Sequence, residues 1–244
     1  MLAVAGLSNW LLGLTVIVVF VGATVQASLG IGLGMIAAPI LAIADTDFVP
    51  VAIIVAVIPL SGSVAWAERK HIDRRGVALT LGGRVPGVIL GALIIFRVSS
   101  DALGILVGVS VLVAVAVSAS GKKLKASNGV LGVAGFASGF MATATGVGGP
   151  PIALTYQHAD PATMRATIST FFAVGALMSF GALTIAGQVS RRQLELSLVV
   201  LPSTALGMLV ASRYRDRLDP ALIRPAVLVI CTLSAVSLLV ETLA

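Results

Sequence analysis

Gly146-Val147-Gly148-Gly149-Pro150-Pro151 breaks an apolar tract, residues 126–159, that contains no Lys, Arg, Asp or Glu. A weaker echo, Gly30-Ile31-Gly32-Leu33-Gly34 with Pro39 beyond it, breaks the uncharged tract 1–44. Glycine bares the backbone and admits positive φ. Proline ends helical hydrogen bonding and is preset for a new helix start. In lipid, an unpaired backbone group costs several kcal/mol, so such breaks survive only under cover of protein or a watery cavity. A helix restarting there aims free N–H groups and a positive dipole end at whatever occupies that depth. The two breaks therefore predict an anion-binding site.

Working outward, the 244 residues are 58% hydrophobic and 11% charged, with mean hydropathy +1.08. A soluble domain carries about 25% charged residues. The tracts 166–190 and 225–240 are also free of charge. These runs are solidly apolar and do not alternate as barrel strands do. The chain reads as an all-α polytopic membrane protein, one transmembrane domain over 1–244. The formal charge of +6 does not imply nucleic acid, because the basic residues lie in short loops that set topology. Cys231, the single cysteine, excludes an intrachain disulfide. No Lys or Arg precedes Arg69, so no basic leader of a cleaved signal peptide is assigned.

Hydrophobic segments fall near 10–29, 31–44, 49–67, 76–96, 102–120, 129–144, 147–157, 161–187, 194–212 and 220–241. The second and seventh are shorter than the roughly 20 residues a crossing takes, and read as half-helices after a break. An offset of 116 places Gly30 and Gly32 on Gly146 and Gly148, Pro86 on Pro202, Gly91 on Gly207 and Arg97 on Arg213. The expected fold is two repeats of about five segments each, 10–120 and 129–241, divided at Gly121-Lys122-Lys123-Leu124-Lys125.

Lys and Arg counts distinguish two topologies. If each break is a kink, nine loop cations face one side and six the other. If each break turns the chain back, Arg69, Lys70, Arg74, Arg75, Lys122, Lys123, Lys125, Arg165, Arg213, Arg215, Arg217 and Arg224 share one side, twelve against Arg97, Arg191 and Arg192. The stronger bias favours inverted repeats with broken or re-entrant helices, both termini outside and the 68–76 and 121–128 loops cytoplasmic. Full hairpins and half-depth re-entrant ones give the same count. Inverted repeats with broken helices are the pattern of secondary transporters with midplane sites.

Arg84 lies about eight residues into its segment, roughly 12 Å deep. An intramembrane arginine costs at least about 2.5–3.5 kcal/mol and faces a cavity or partner. It either binds an anion with its planar fork, or bonds carbonyls freed near Pro86, or snorkels. The first break offers Thr24, Gln26 and Ser28 before Gly30 and Gly32; the second offers Thr143 and Thr145 before Gly146, Gly148, Gly149 and Pro150. Neutral donors beside bared N–H groups suit an oxyanion and supply no carboxylate cage for a cation. Packing of small residues is the alternative. Arg165, after the N-cap Asp160 and Pro161, either draws anions inward or anchors at the headgroups. His158 is a loop residue that could titrate near neutral pH or simply be solvated. No membrane acid has the placement of a proton relay; Glu195, at the start of its helix, is the only candidate and is expected at the interface.

There is no P-loop for ATP, no G-x-S-x-G elbow and no metal-ligand spacing. No enzyme, metal or cofactor is expected; transport is then gradient-driven or facilitated. The two halves, each with a glycine turn followed by proline, resemble the TauE/SafE sulfite-exporter family. The matching stretches are Gly30 to Pro39, Gly146 to Pro151, Met164-Arg165-Ala166-Thr167, and Gly83-Arg84-Val85-Pro86-Gly87 with Gly91. The resemblance implies a bacterial inner-membrane permease for sulfite or small organosulfonates. An anion channel, or a permease for another small organic anion, uses the same residues. Expected partners are the small anion and membrane lipid, with a second copy of the chain as a candidate.

Overall fold

The computed structural model describes residues 6–95, 98–120, 126–214 and 220–243. Arg97, Lys122, Lys123, Lys125, Arg215 and Arg217, and the 121–125 repeat boundary, lie outside them. Among the described residues ten α-helices follow in order: α1 (Asn9–Leu29), α2 (Leu33–Ala44), α3 (Val51–Ala67), α4 (Arg74–Ile95), α5 (Ser100–Ala119), α6 (Asn128–Thr145), α7 (Gly149–Tyr156), α8 (Pro161–Ile185), α9 (Arg191–Tyr214) and α10 (Pro220–Leu243). No strand occurs among the described residues. Seven of the helical segments are long and apolar enough to cross a membrane. At 12 and 8 residues, α2 and α7 reach only about 18 and 12 Å.

Local chemistry starts and stops these helices. Ser8, Ser99, Ser127 and Asp160 accept a hydrogen bond from the backbone N–H three residues on, capping α1, α5, α6 and α8. Helices α1 and α6 end on glycines in the left-handed region, Gly30 at φ 85° and Gly146 at φ 75°. Their N–H groups close on Gln26 O and Ala142 O at 2.8 and 2.9 Å. Without a Cβ these positions adopt that conformation at no steric cost.

Each break reverses the chain. Arg192, at the start of α9, lies beside Gly6 ahead of α1 and pairs with Asp45 at the end of α2. The start of α6 and the end of α7 likewise meet the start of α4: Arg75 donates to Asn128 Oδ1 at 3.4 Å and Tyr156 donates to Asp73 Oδ2 at 3.0 Å. The two hairpins come from opposite ends of the bundle. Helices α3 and α8 run antiparallel, with Glu68 against Arg165 at one end and Val51 and Ile54 clustered with Leu183 at the other. Helices α5 and α10 also run antiparallel, Gly104 meeting Thr242 while Arg224 donates to Ser118 O. Among the described loop cations, Arg69, Lys70, Arg74, Arg75, Arg165, Arg213 and Arg224 gather at one end, and Arg191 and Arg192 at the other. Trp10 and Trp66 are exposed at opposite ends, as interfacial aromatics are.

Glycine faces bring the middle together. Gly83, Gly87 and Gly91 of α4 rest on the backbone of α6, and Gly135 and Gly139 of α6 rest on Thr80 and Arg84. A Cβ at most of these positions would overlap the neighbouring helix, so small residues set the approach. This packing carries Arg84, next to Gly83, to the inner end of the second hairpin.

Candidate functional site

The glycine turns meet at mid-bundle. A Cβ at Gly34 would overlap the carbonyl oxygen of Gly146, and one at Gly149 would lie 3.1 Å from Ile31 Cγ2. Beside this contact is a cavity of about 30 Å³, room for one or two waters. Gln26, Gly32, Arg84, Gly146, Gly148 and Gly149 line it. Both short helices begin there.

Arg84 is 1% exposed. Its Nη2 donates to Ser179 Oγ at 3.2 Å, and Ser179 in turn shares a 2.7 Å hydrogen bond with Thr143. The guanidinium carbon stands 4.8 Å from the centroid of the Phe171 ring. Among the described residues Nε and Nη1 have no hydrogen-bond partner, and no carboxylate pairs with Arg84. A buried cation with two unused donors is costly unless an anion completes it.

Several polar side chains serve the hairpins instead. Gln26 Oε1 accepts from Leu33 N–H at 3.0 Å, and its amide nitrogen donates to Ser61 Oγ at 3.2 Å. Gln26 thus satisfies one of the first N–H groups of α2. In the second hairpin Ser138 donates to Gly148 O. The hydroxyls of Thr24, Ser28 and Thr145 turn back onto carbonyls four residues earlier.

Ser28, Pro150 and Arg165 line a second, larger cavity of about 320 Å³ rather than the central one. Arg165 is held by Glu68, with Nε and Nη2 donating to the carboxylate at 2.9–3.2 Å. Glu68 is at 7% exposure the one buried acid among the described residues. Glu195, the acid singled out from sequence, pairs with Arg191 at an exposed position. Ser179, Phe171 and Gly175, which surround the guanidinium, carry no sequence signal of their own. Serine, phenylalanine and glycine are ordinary in membrane helices, and the contacts to Arg84 join positions about 90 residues apart.

Broken helices that converge on a buried arginine, with no carboxylate partner among the described residues, are the architecture of a membrane transporter. The comparisons with known proteins agree. Residues 14–238 match the family described as "Sulfite exporter TauE/SafE", and the chain belongs to that family, whose members are transporters and not enzymes. It is similar to the "Probable sulfite/organosulfonate exporter TauE" of Cupriavidus necator, 26% identical over 216 residues, which cover 83% of this chain and 84% of that protein. No solved structure matches the chain.

Proposed function

We propose that this chain is a secondary carrier of sulfur-containing oxyanions, such as sulfite or small organosulfonates, working by alternating access around the central cavity. The observation that carries this reading is Arg84, buried with two free guanidinium nitrogens where both glycine turns meet. A compact oxyanion fits the fork of Arg84 on one side and the starts of α2 and α7 on the other. The name of the similar Cupriavidus protein supports sulfur chemistry for that anion.

Two inverted halves, α1–α5 and α6–α10, would rock about this site. Three features support them: the matched caps at Gly30 and Gly146, the antiparallel pairs α3/α8 and α5/α10, and helix pairings that largely persist when the halves are exchanged. Two pairings break the exchange. Helix α5 packs against α6, whereas α10 makes no comparable contact with α1. Helix α2 packs against α5, whereas α7 makes no comparable contact with α10; the larger cavity opens there. A carrier open to one side has this asymmetry, and its reverse state would swap the two contacts. The closed glycine contact favours a carrier over an open channel. The end rich in Arg and Lys would face the cytoplasm of a bacterial inner membrane, with both termini outside.

A thermal-unfolding screen of the purified protein tests the substrate class. Sulfite, sulfoacetate or isethionate should raise the melting temperature with ligand concentration. Stabilisation by a cation or a neutral solute, with none by oxyanions, would overturn the reading.

A further inference from the structure

The larger cavity carries charge that the central site does not use. It lies beside the ends of α1 and α5, the starts of α8 and α10, and α7. Arg165 and Arg224 line it from two different helices. Arg165 is neutralised by Glu68 at 2.9 Å. Arg224 donates to the Ser118 carbonyl at 2.9 Å, and among the described residues no carboxylate pairs with it. Among the described residues that line it or pair with its lining, two guanidiniums, the less exposed Arg165 and the more exposed Arg224, stand against the carboxylate of Glu68, and a positive surplus in a partly enclosed space attracts anions more strongly than in open water. The cavity also adjoins the centre. Ile31 lines both spaces, and Pro150, on its wall, follows Gly149 of the central one.

We propose that this cavity is a second oxyanion site, separate from the one at Arg84, holding a sulfonate, sulfite or phosphate group between Arg165 and Arg224. Glu68 is its built-in competitor. The carboxylate occupies the fork of Arg165 when the site is empty and yields part of it to an arriving anion. At about 320 Å³ the space admits an oxyanion with part of its hydration shell, so binding there is weaker and more salt-sensitive than at Arg84. The choice of sulfite as ligand rests on the carrier reading above; the charge surplus does not. The same chemistry would accept a lipid headgroup phosphate.

Equilibrium binding of labelled sulfite to the purified full chain tests this, in uncharged detergent and in nanodiscs with or without phosphatidylglycerol. Wild type should bind two anions, and Arg84→Gln should retain one. In the Arg84→Gln background, Arg224→Gln should weaken that remaining site by about tenfold, and Glu68→Gln should tighten it by a similar factor. Misfolding cannot produce shifts of opposite sign from two variants. Loss of the remaining sulfite in phosphatidylglycerol nanodiscs, reversed by neutral lipid, assigns the site to headgroups; persistence assigns it to free anions. The proposal is overturned if Arg84→Gln binds no anion in detergent while wild type binds one, a result that leaves the central site standing. It is also overturned if the remaining site ignores both Arg224→Gln and Glu68→Gln. Two undiminished sites in Arg84→Gln would instead remove the central reading.

Discussion

Replacing Gly34 by alanine tests the meeting of the hairpins. A methyl there would overlap the Gly146 carbonyl oxygen and sit 3.1 Å from Gly146 C and 3.4 Å from Val147 Cα. These are backbone atoms and cannot rotate away. Restoring ordinary contact requires the turns to separate by about 1 Å, and overpacking of this kind costs about 1–3 kcal/mol. If the closed contact lies on the transport cycle, that cost disfavours it by about 5- to 150-fold. Proteoliposome flux should fall within that range, with a melting point several degrees lower. Gly62→Ala is the control, because its Cβ meets nothing within 4 Å; it should match wild type in both assays. Wild-type flux and melting in Gly34→Ala would refute the contact between the turns.

Three further variants separate the roles around Arg84. Gly175→Ala would place a methyl over Nε and Cζ of Arg84, 2.8 Å from Cδ; the flexible side chain should swing aside, so flux falls at least tenfold while melting changes by less than about 1 kcal/mol, and unchanged flux would remove Arg84 from the site. Ser179→Ala deletes the hydrogen-bond partner of Nη2, a bond to a charged group worth about 1.5–3 kcal/mol, so KM for the anion should rise about tenfold or more and Ser179→Thr should restore part of it; an unaltered KM would contradict the pairing. Gln26→Ala leaves Leu33 N–H and the Ser61 hydroxyl without their partner and should cost about 1–3 kcal/mol of stability, read as a lower melting temperature; full stability would mean that the amide is not a cap.

The sequence carried the helix breaks well. Glycine and proline declare themselves in an uncharged run, so the short segments 31–44 and 147–157 correspond closely to α2 and α7. The distribution of Lys and Arg favoured chain reversal, and the Glu68–Arg165 pair joins loops that a mere kink would have put on opposite sides. Sequence did not carry which faces meet. Gln26 stands before the first break, and Arg165 reads equally as drawing anions inward or as anchoring its helix. Their partners, Ser61 and Leu33 in one case and Glu68 in the other, are set by helix contacts that no local pattern encodes. Arg84 was legible because an arginine is rare inside an apolar segment. Its surroundings were not, because they are made of the residues commonest in membrane helices.

Counterflow of labelled sulfite into proteoliposomes preloaded with unlabelled sulfite tests the central claim most directly. A carrier with its site at Arg84 predicts transient accumulation of label above equilibrium by wild type, and none by Arg84→Gln reconstituted at the same density. Equal accumulation by Arg84→Gln, or a wild-type protein that only lets label equilibrate, would contradict it.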